Sequence, residues 1–112
     1  MAKLETIVRE EDFDRLLERI EQGILKGSFS ATLEDSSDFE SENCRCAVRV
    51  FERYSMLGSN RVSMSVTLFQ GGDDLIYLSA ITSGGSQAMF MKLNTFGEEA
   101  FLEKLEDVLG RI

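Results

Sequence analysis

A chain of 112 residues has room for one hydrophobic core and not for a second. Its 43% hydrophobic and 29% charged residues are globular proportions, and a net charge of −8 argues against a basic, phosphate-gripping surface. Histidine is absent, which removes the Ser-His-Asp, Cys-His and histidine–metal site types together.

No apolar run reaches the roughly 18 residues of a membrane helix, and Met1 to Glu11 carries no apolar stretch suited to a signal peptide. The expectation is a cytoplasmic protein with no nucleic-acid or membrane partner. Cys44 and Cys46 fit that compartment. Two residues apart on a strand they stand about 7 Å from each other, too far for a relaxed disulfide. With no third cysteine or histidine to complete a site, neither metal nor cofactor is expected.

Lys3 to Val8 alternates weakly, with Leu4, Thr6 and Val8 on one side, and reads as a first strand. Phe13, Leu16, Leu17, Ile20 and Ile24 then mark one apolar stripe of a helix. Acidic residues Glu10, Glu11, Asp12 and Asp14 crowd its start, where the helix dipole favours them. Gly27 is placed to end it in a left-handed conformation, and Gly23 costs its last turns about 1 kcal/mol against alanine.

Ser28 to Leu33 returns to period two, with Phe29, Ala31 and Leu33 on one face. Glu34 to Asn43 holds five acidic residues and no basic one, which reads as a long solvated loop. Its spacing does not match the twelve-residue calcium loop, which wants a central glycine and a terminal glutamate.

Cys44 to Met56, Arg61 to Phe69 and Asp74 to Thr82 alternate as three further strands. Their even positions form one apolar face: Cys44, Cys46, Val48, Val50; Val62, Met64, Val66, Leu68; Ile76, Leu78, Ala80. Three-residue loops at Gly58-Ser59-Asn60 and Gly71-Gly72-Asp73 set Tyr54 opposite Met64 and Val66 opposite Leu78, so even meets even. The odd face carries Arg45, Arg49 and Arg53 with Phe51, Phe69 and Tyr77. A half-wet sheet with arginine stems lying over the aromatics is one reading of this face; the other is a subunit interface, which favours arginine and aromatics. Arg49, Phe51, Phe69 and Tyr77 are therefore the candidate interface of a homo-oligomer.

Ser83-Gly84-Gly85-Ser86-Gln87 is a turn able to present backbone N–H groups to a ligand. Arg53, Arg61 and Tyr54 are the charged and hydroxyl groups nearest it in this reading, and with it they make the candidate ligand or partner site. As a catalytic constellation it is poor in proton-transfer groups, so a non-enzymatic protein is expected. Ala88 to Leu93 reads as a short strand. Thr95-Phe96-Gly97-Glu98 reads as a capping box opening a last helix to about Gly110, its buried stripe being Phe101, Leu105, Val108, Leu109 and Ile112.

The order predicts one α+β domain over residues 1–112. It is a two-layer sandwich, β-α-β(4–5)-α, whose antiparallel sheet carries both helices on its even face. That order is similar to the helix-grip arrangement of lipid-binding START-like domains and the TATA-binding repeat. The wording of Ser30-Ala31-Thr32-Leu33-Glu34-Asp35, Glu52-Arg53-Tyr54-Ser55, Asn60-Arg61-Val62-Ser63, Ser83-Gly84-Gly85-Ser86-Gln87 and Thr95-Phe96-Gly97-Glu98-Glu99 resembles a family of small bacterial proteins, mostly from Firmicutes, catalogued as a domain of unknown function. That resemblance implies a bacterial cytoplasmic protein and brings no activity or catalytic residue with it. Two functions follow from the residues themselves. One is a module that self-associates through the odd sheet face. The other is an apolar-ligand binder with a cavity between the last helix and the sheet, lined by Met64, Met89, Phe90, Met91 and Phe101.

Overall fold

In the computed structural model, which describes residues 1–55, 60–84 and 91–110, the alternating segments pair into one five-stranded antiparallel sheet accompanied by two helices. In chain order these are β1 (Ala2–Val8), α1 (Phe13–Gly27), β2 (Thr32–Ser41), β3 (Cys44–Ser55), β4 (Asn60–Gln70), β5 (Ile76–Gly84) and α2 (Met91–Leu109). Across the sheet the order is β1-β5-β4-β3-β2, so the first strand closes against the last and β2 lies at the far edge.

Helix α1 forms where its stripe predicts, and Phe13, Leu16, Leu17, Ile20 and Ile24 are all buried. Glu10, at φ 56°, turns the chain out of β1 through the left-handed region. Asp12 then caps the helix, its carboxylate accepting from the Arg15 N–H at 3.0 Å. The far end differs from expectation. Gly27 has no positive φ, and the helix runs through it to an extended Ser28. Gly23 is a contact point: a Cβ there would meet the Val108 Cγ2 at 2.3 Å, so the missing side chain lets α1 approach α2.

The acidic stretch is a strand, against the loop expected of it. β2 is exposed at all ten positions and pairs along β3 from Thr32↔Glu52 to Ser41↔Cys44, with a bulge between Leu33 and Asp35. Two-sided exposure strips such a strand of the apolar alternation by which strands are recognised. Phe29, placed on a core face by its spacing, is fully exposed.

Helix α2 begins earlier than the capping box implies. Met91 to Leu93 are helical, so Thr95 and Glu98 lie inside the helix. Residues 88–90 of the expected strand, and Ile112 of the expected stripe, lie outside the described residues. Glu98 is buried and meets the N-terminal ammonium at 3.0 Å. Phe101, Leu102, Leu105 and Val108 are buried, and all but Val108 join one cluster with the α1 stripe and the sheet.

The main correction concerns β3. Strands β4 and β5 bury the predicted even residues, Val62, Met64, Val66 and Leu68 against Ile76, Leu78 and Ala80. Their register pairs Val66 with Ala80, two residues from expectation, and two residues preserve the face. Between β3 and β4, Ser55 pairs with Asn60 and Phe51 with Met64, so odd residues meet even ones. The odd side of β3 is therefore the buried side. Phe51 is fully buried there, Ala47 and Arg49 are buried beside it, and Val48 and Val50 turn outward. Thus Arg49 and Phe51 do not belong to an open interface.

Candidate functional site

The turned strand lays its arginines against α1. Arg45 makes two hydrogen bonds to Asp14, at 2.6 and 3.1 Å, with its guanidinium 4.3 Å above the Phe13 ring. Arg49 donates to Glu21 at 3.1 Å and to Asp38 at 3.0 Å. Arg53 donates to the Ser28 hydroxyl at 3.1 Å and lies 4.8 Å over Phe101. Steps of seven along the helix (Asp14, Glu21, Ser28) climb about 10.5 Å each. Steps of four along the strand climb about 13 Å. The two periods are close enough for three successive contacts.

The electrostatics of the three arginines differ. The hydrogen bond that Arg45 donates to Asp14 raises the guanidinium above its ordinary pKa and holds the Asp14 carboxyl below its own. Burial opposes the charge on Arg49, but the hydrogen bonds it donates to Asp38 and Glu21 outweigh it and raise the pKa. Burial alone lowers Arg53, and among the described residues it has no carboxylate against it and its buried Nε has no acceptor. Arg53 sits beside the C-cap of α1, whose partial negative charge suits a cation.

The predicted ligand site is thereby divided. Arg53 and Gly84 belong to the buried side, the two being joined through Val62, which pairs with both. Tyr54 and Arg61 pair with each other on the opposite side, the Arg61 guanidinium 5.6 Å from the Tyr54 ring. Arg61 is held by Glu52 at 2.9 Å and Glu34 at 3.7 Å. Ser83 is on that same outer side, its hydroxyl sharing a 2.9 Å hydrogen bond with Ser63. Gly85, Ser86 and Gln87 lie outside the described residues. Because the helix starts at Met91, Thr95 to Glu98 do not offer the free N–H donors of a helix N-terminus.

Of the residues expected at an interface, Phe69 and Tyr77 lie on the outer face. Strand register carries one row across all five strands: Ile7 beside Tyr77, Tyr77 beside Phe69, Phe69 beside Cys46 and Cys46 beside Phe39. Ile7, Phe69 and Tyr77 are each about 40% exposed and Phe39 is 71% exposed. The Phe69 and Tyr77 rings lie 6.3 Å apart, tilted by 44°. Beyond this row the face continues through Ser79, Thr67, Val48 and Ser37, then Ile81, Ser65, Val50 and Asp35. Small hydroxyl residues keep it low, and a hollow of about 700 Å³ lined by Glu5, Ile7, Arg9, Phe69, Tyr77 and Ser79 opens at its β1 end. Ile7, Cys46 and Phe39 were missed in the sequence because cross-strand rows depend on register, which spacing within one strand does not reveal.

A second hollow, of about 650 Å³, lies between β1 and the C-terminal part of α2, lined by Leu4, Thr6, Val8, Arg9, Glu106 and Leu109 among others. It is not the cavity expected from the sequence. Met64 and Phe101 are fully buried in the packed cluster, the Met91 side chain is not described, and Met89 and Phe90 lie outside the described residues. Among the described residues no three Cys, Asp or Glu converge as metal ligands, and no helix is long and apolar enough to cross a membrane.

The geometry defines a small α+β domain with a packed sheet face and a bare one. Over residues 1–112 the sequence matches the model of DUF6054, a family of unknown function, and the chain belongs to that family. No curated protein and no solved structure matches it.

Proposed function

We propose that this chain is a non-enzymatic interaction module, a two-layer sandwich in the helix-grip manner with both helices on the buried face, that self-associates through the bare face. A bacterial cytoplasmic setting goes with this reading. The supporting observation is the apolar row Ile7–Tyr77–Phe69–Cys46–Phe39, continuous over five strands. An aromatic row with a hydroxyl-rich surround is the composition of a contact surface, and sheets pack face to face about 10 Å apart. A second copy brings the same row, which a two-fold axis lays across the first. Light scattering after size exclusion tests this. A dimer mass is expected at high concentration, and Phe69→Ser combined with Tyr77→Ser is expected to return a folded monomer. A strict monomer at millimolar concentration overturns the reading.

The β1–α2 hollow supports the alternative, an apolar-ligand binder, because Leu4, Val8 and Leu109 give it an apolar floor. Native mass spectrometry of freshly purified protein separates the two. A retained small molecule that Leu4→Trp displaces supports the ligand reading, and a bare monomer mass counts against both.

A further inference from the structure

The geometry points to a second contact, made through the backbone edge of the sheet rather than across its bare face: the free edge of β2 accepts an extended, lysine- or arginine-rich segment of another protein as a sixth strand. Among the described residues β2 ends the sheet, and no strand pairs with the backbone N–H and C=O groups along its far side. At ten residues, all exposed, it is a long open edge. Such edges are commonly blunted by lysine, proline, bulges or inward charges; β2 has no lysine or proline, its bulge is confined to the Leu33–Asp35 end, and its charges are all acidic. Main-chain pairing supplies affinity for an added strand, while pockets and charges beside it select the sequence.

The charges here select strongly. Glu34, Asp35, Asp38 and Glu40 stand on β2, Glu42 follows in the turn, and no basic residue interrupts them. Asp38 is engaged by Arg49 and Glu34 by Arg61. Among the described residues Asp35, Glu40 and Glu42 have no cation within 4.0 Å. Asp35 faces the outer side beside Val50, and Glu40 the buried side beside Arg45. An added strand with cations on alternate residues can satisfy one of these faces, and Phe39 offers an apolar neighbour on the outer one. A second copy is the wrong occupant, since β2 against β2 sets carboxylates opposite carboxylates.

The probe is a capped heptapeptide, Lys-Val-Lys-Val-Lys-Val-Lys, titrated into isotope-labelled full-length protein. Amide shifts are expected along β2 and to be absent with the Glu-Val counterpart. N-methylation of alternate peptide residues is expected to abolish them, because strand pairing needs those N–H groups. Asp35→Asn combined with Glu40→Gln, which keeps the side-chain shapes, is expected to weaken binding about fivefold or more at low salt. Shifts that survive N-methylation, that spread over the whole surface, or that appear equally with the acidic peptide overturn the assignment, as does the absence of shifts. The Phe69→Ser, Tyr77→Ser variant is expected to bind the peptide unchanged, so a monomeric wild type with a responsive β2 removes the self-association reading and leaves this one standing.

Discussion

Phe51 and Phe69 sit on neighbouring strands and have opposite surroundings. Phe51 is fully buried among the core side chains, so Phe51→Ala is expected to cost about 3–5 kcal/mol through lost transfer and a cavity. Phe69 is 42% exposed on the bare face, and Phe69→Ser is expected to change stability by less than about 1 kcal/mol. Chemical denaturation of both variants checks the contrast, and equal losses would mean that Phe69 is buried within one chain. A charge prediction belongs at the same scale. Arg45 holds the Asp14 carboxyl below its ordinary value of 3.8. A depressed folded pKa contributes stability that is complete above the unfolded value and fades as pH falls through the folded one. Asp14 is largely exposed, so solvent keeps that contribution small. Carboxyl-carbon NMR titration is expected to show a midpoint under 3.8 in the wild type and a return toward it in Arg45→Ala.

At the scale of elements, two glycines of α1 answer the same substitution with opposite signs. Nothing lies within 4 Å of a Cβ at Gly27, so Gly27→Ala is expected to stabilise by about 0.5–1 kcal/mol by restricting the unfolded chain. Gly23→Ala places a methyl 2.3 Å from Val108, whose own Cβ is 3.2 Å away. Rotating the valine does not clear that contact, and the expected loss is about 1–3 kcal/mol. Thermal melts of the two single variants, and of Gly23→Ala with Val108→Ala, read this directly: the added Val108→Ala should cost less in the Gly23→Ala background than alone. Helix α1 was legible in the sequence because five apolar residues repeat on one stripe and a single aspartate caps it. β2 was not, because a strand wet on both faces has no alternation to show. The first turn of α2 was hidden for a different reason: Met91-Lys92-Leu93 alternates like a strand, and the Thr95–Glu98 pattern suggested a later start.

For the molecule as a whole, a 48 Å long axis against 24 and 21 Å reflects the strands. The twelve residues of β3 alone extend about 40 Å. The residues on one face of the sheet are buried in a cluster with residues of the helices, while Ile7, Phe39, Phe69 and Tyr77 on the other are exposed. Of the candidate site, Phe69 and Tyr77 were readable as outward aromatics, and Arg49 and Phe51 were not readable as inward ones. The reason lies in β3 itself. Its even side offers Cys44, Cys46, Val48 and Val50, its odd side Ala47 and Phe51 among arginines, and hydrophobicity alone prefers the even side. Asp14 and Glu21 on α1, with Ser28 just past its end, oppose that preference by giving those arginines partners.

A strand with two plausible insides poses a question to the folding chain. Apolar area taken alone has no stake in guanidinium partners and favours burying the valines. Sliding β3 by one residue past β4 converts that arrangement into the native one, with every side chain changing sides. In the native alignment α1 offers Asp14 and Glu21 to the inward Arg45 and Arg49, and a one-residue slip would turn both guanidiniums to the outer face, away from those partners.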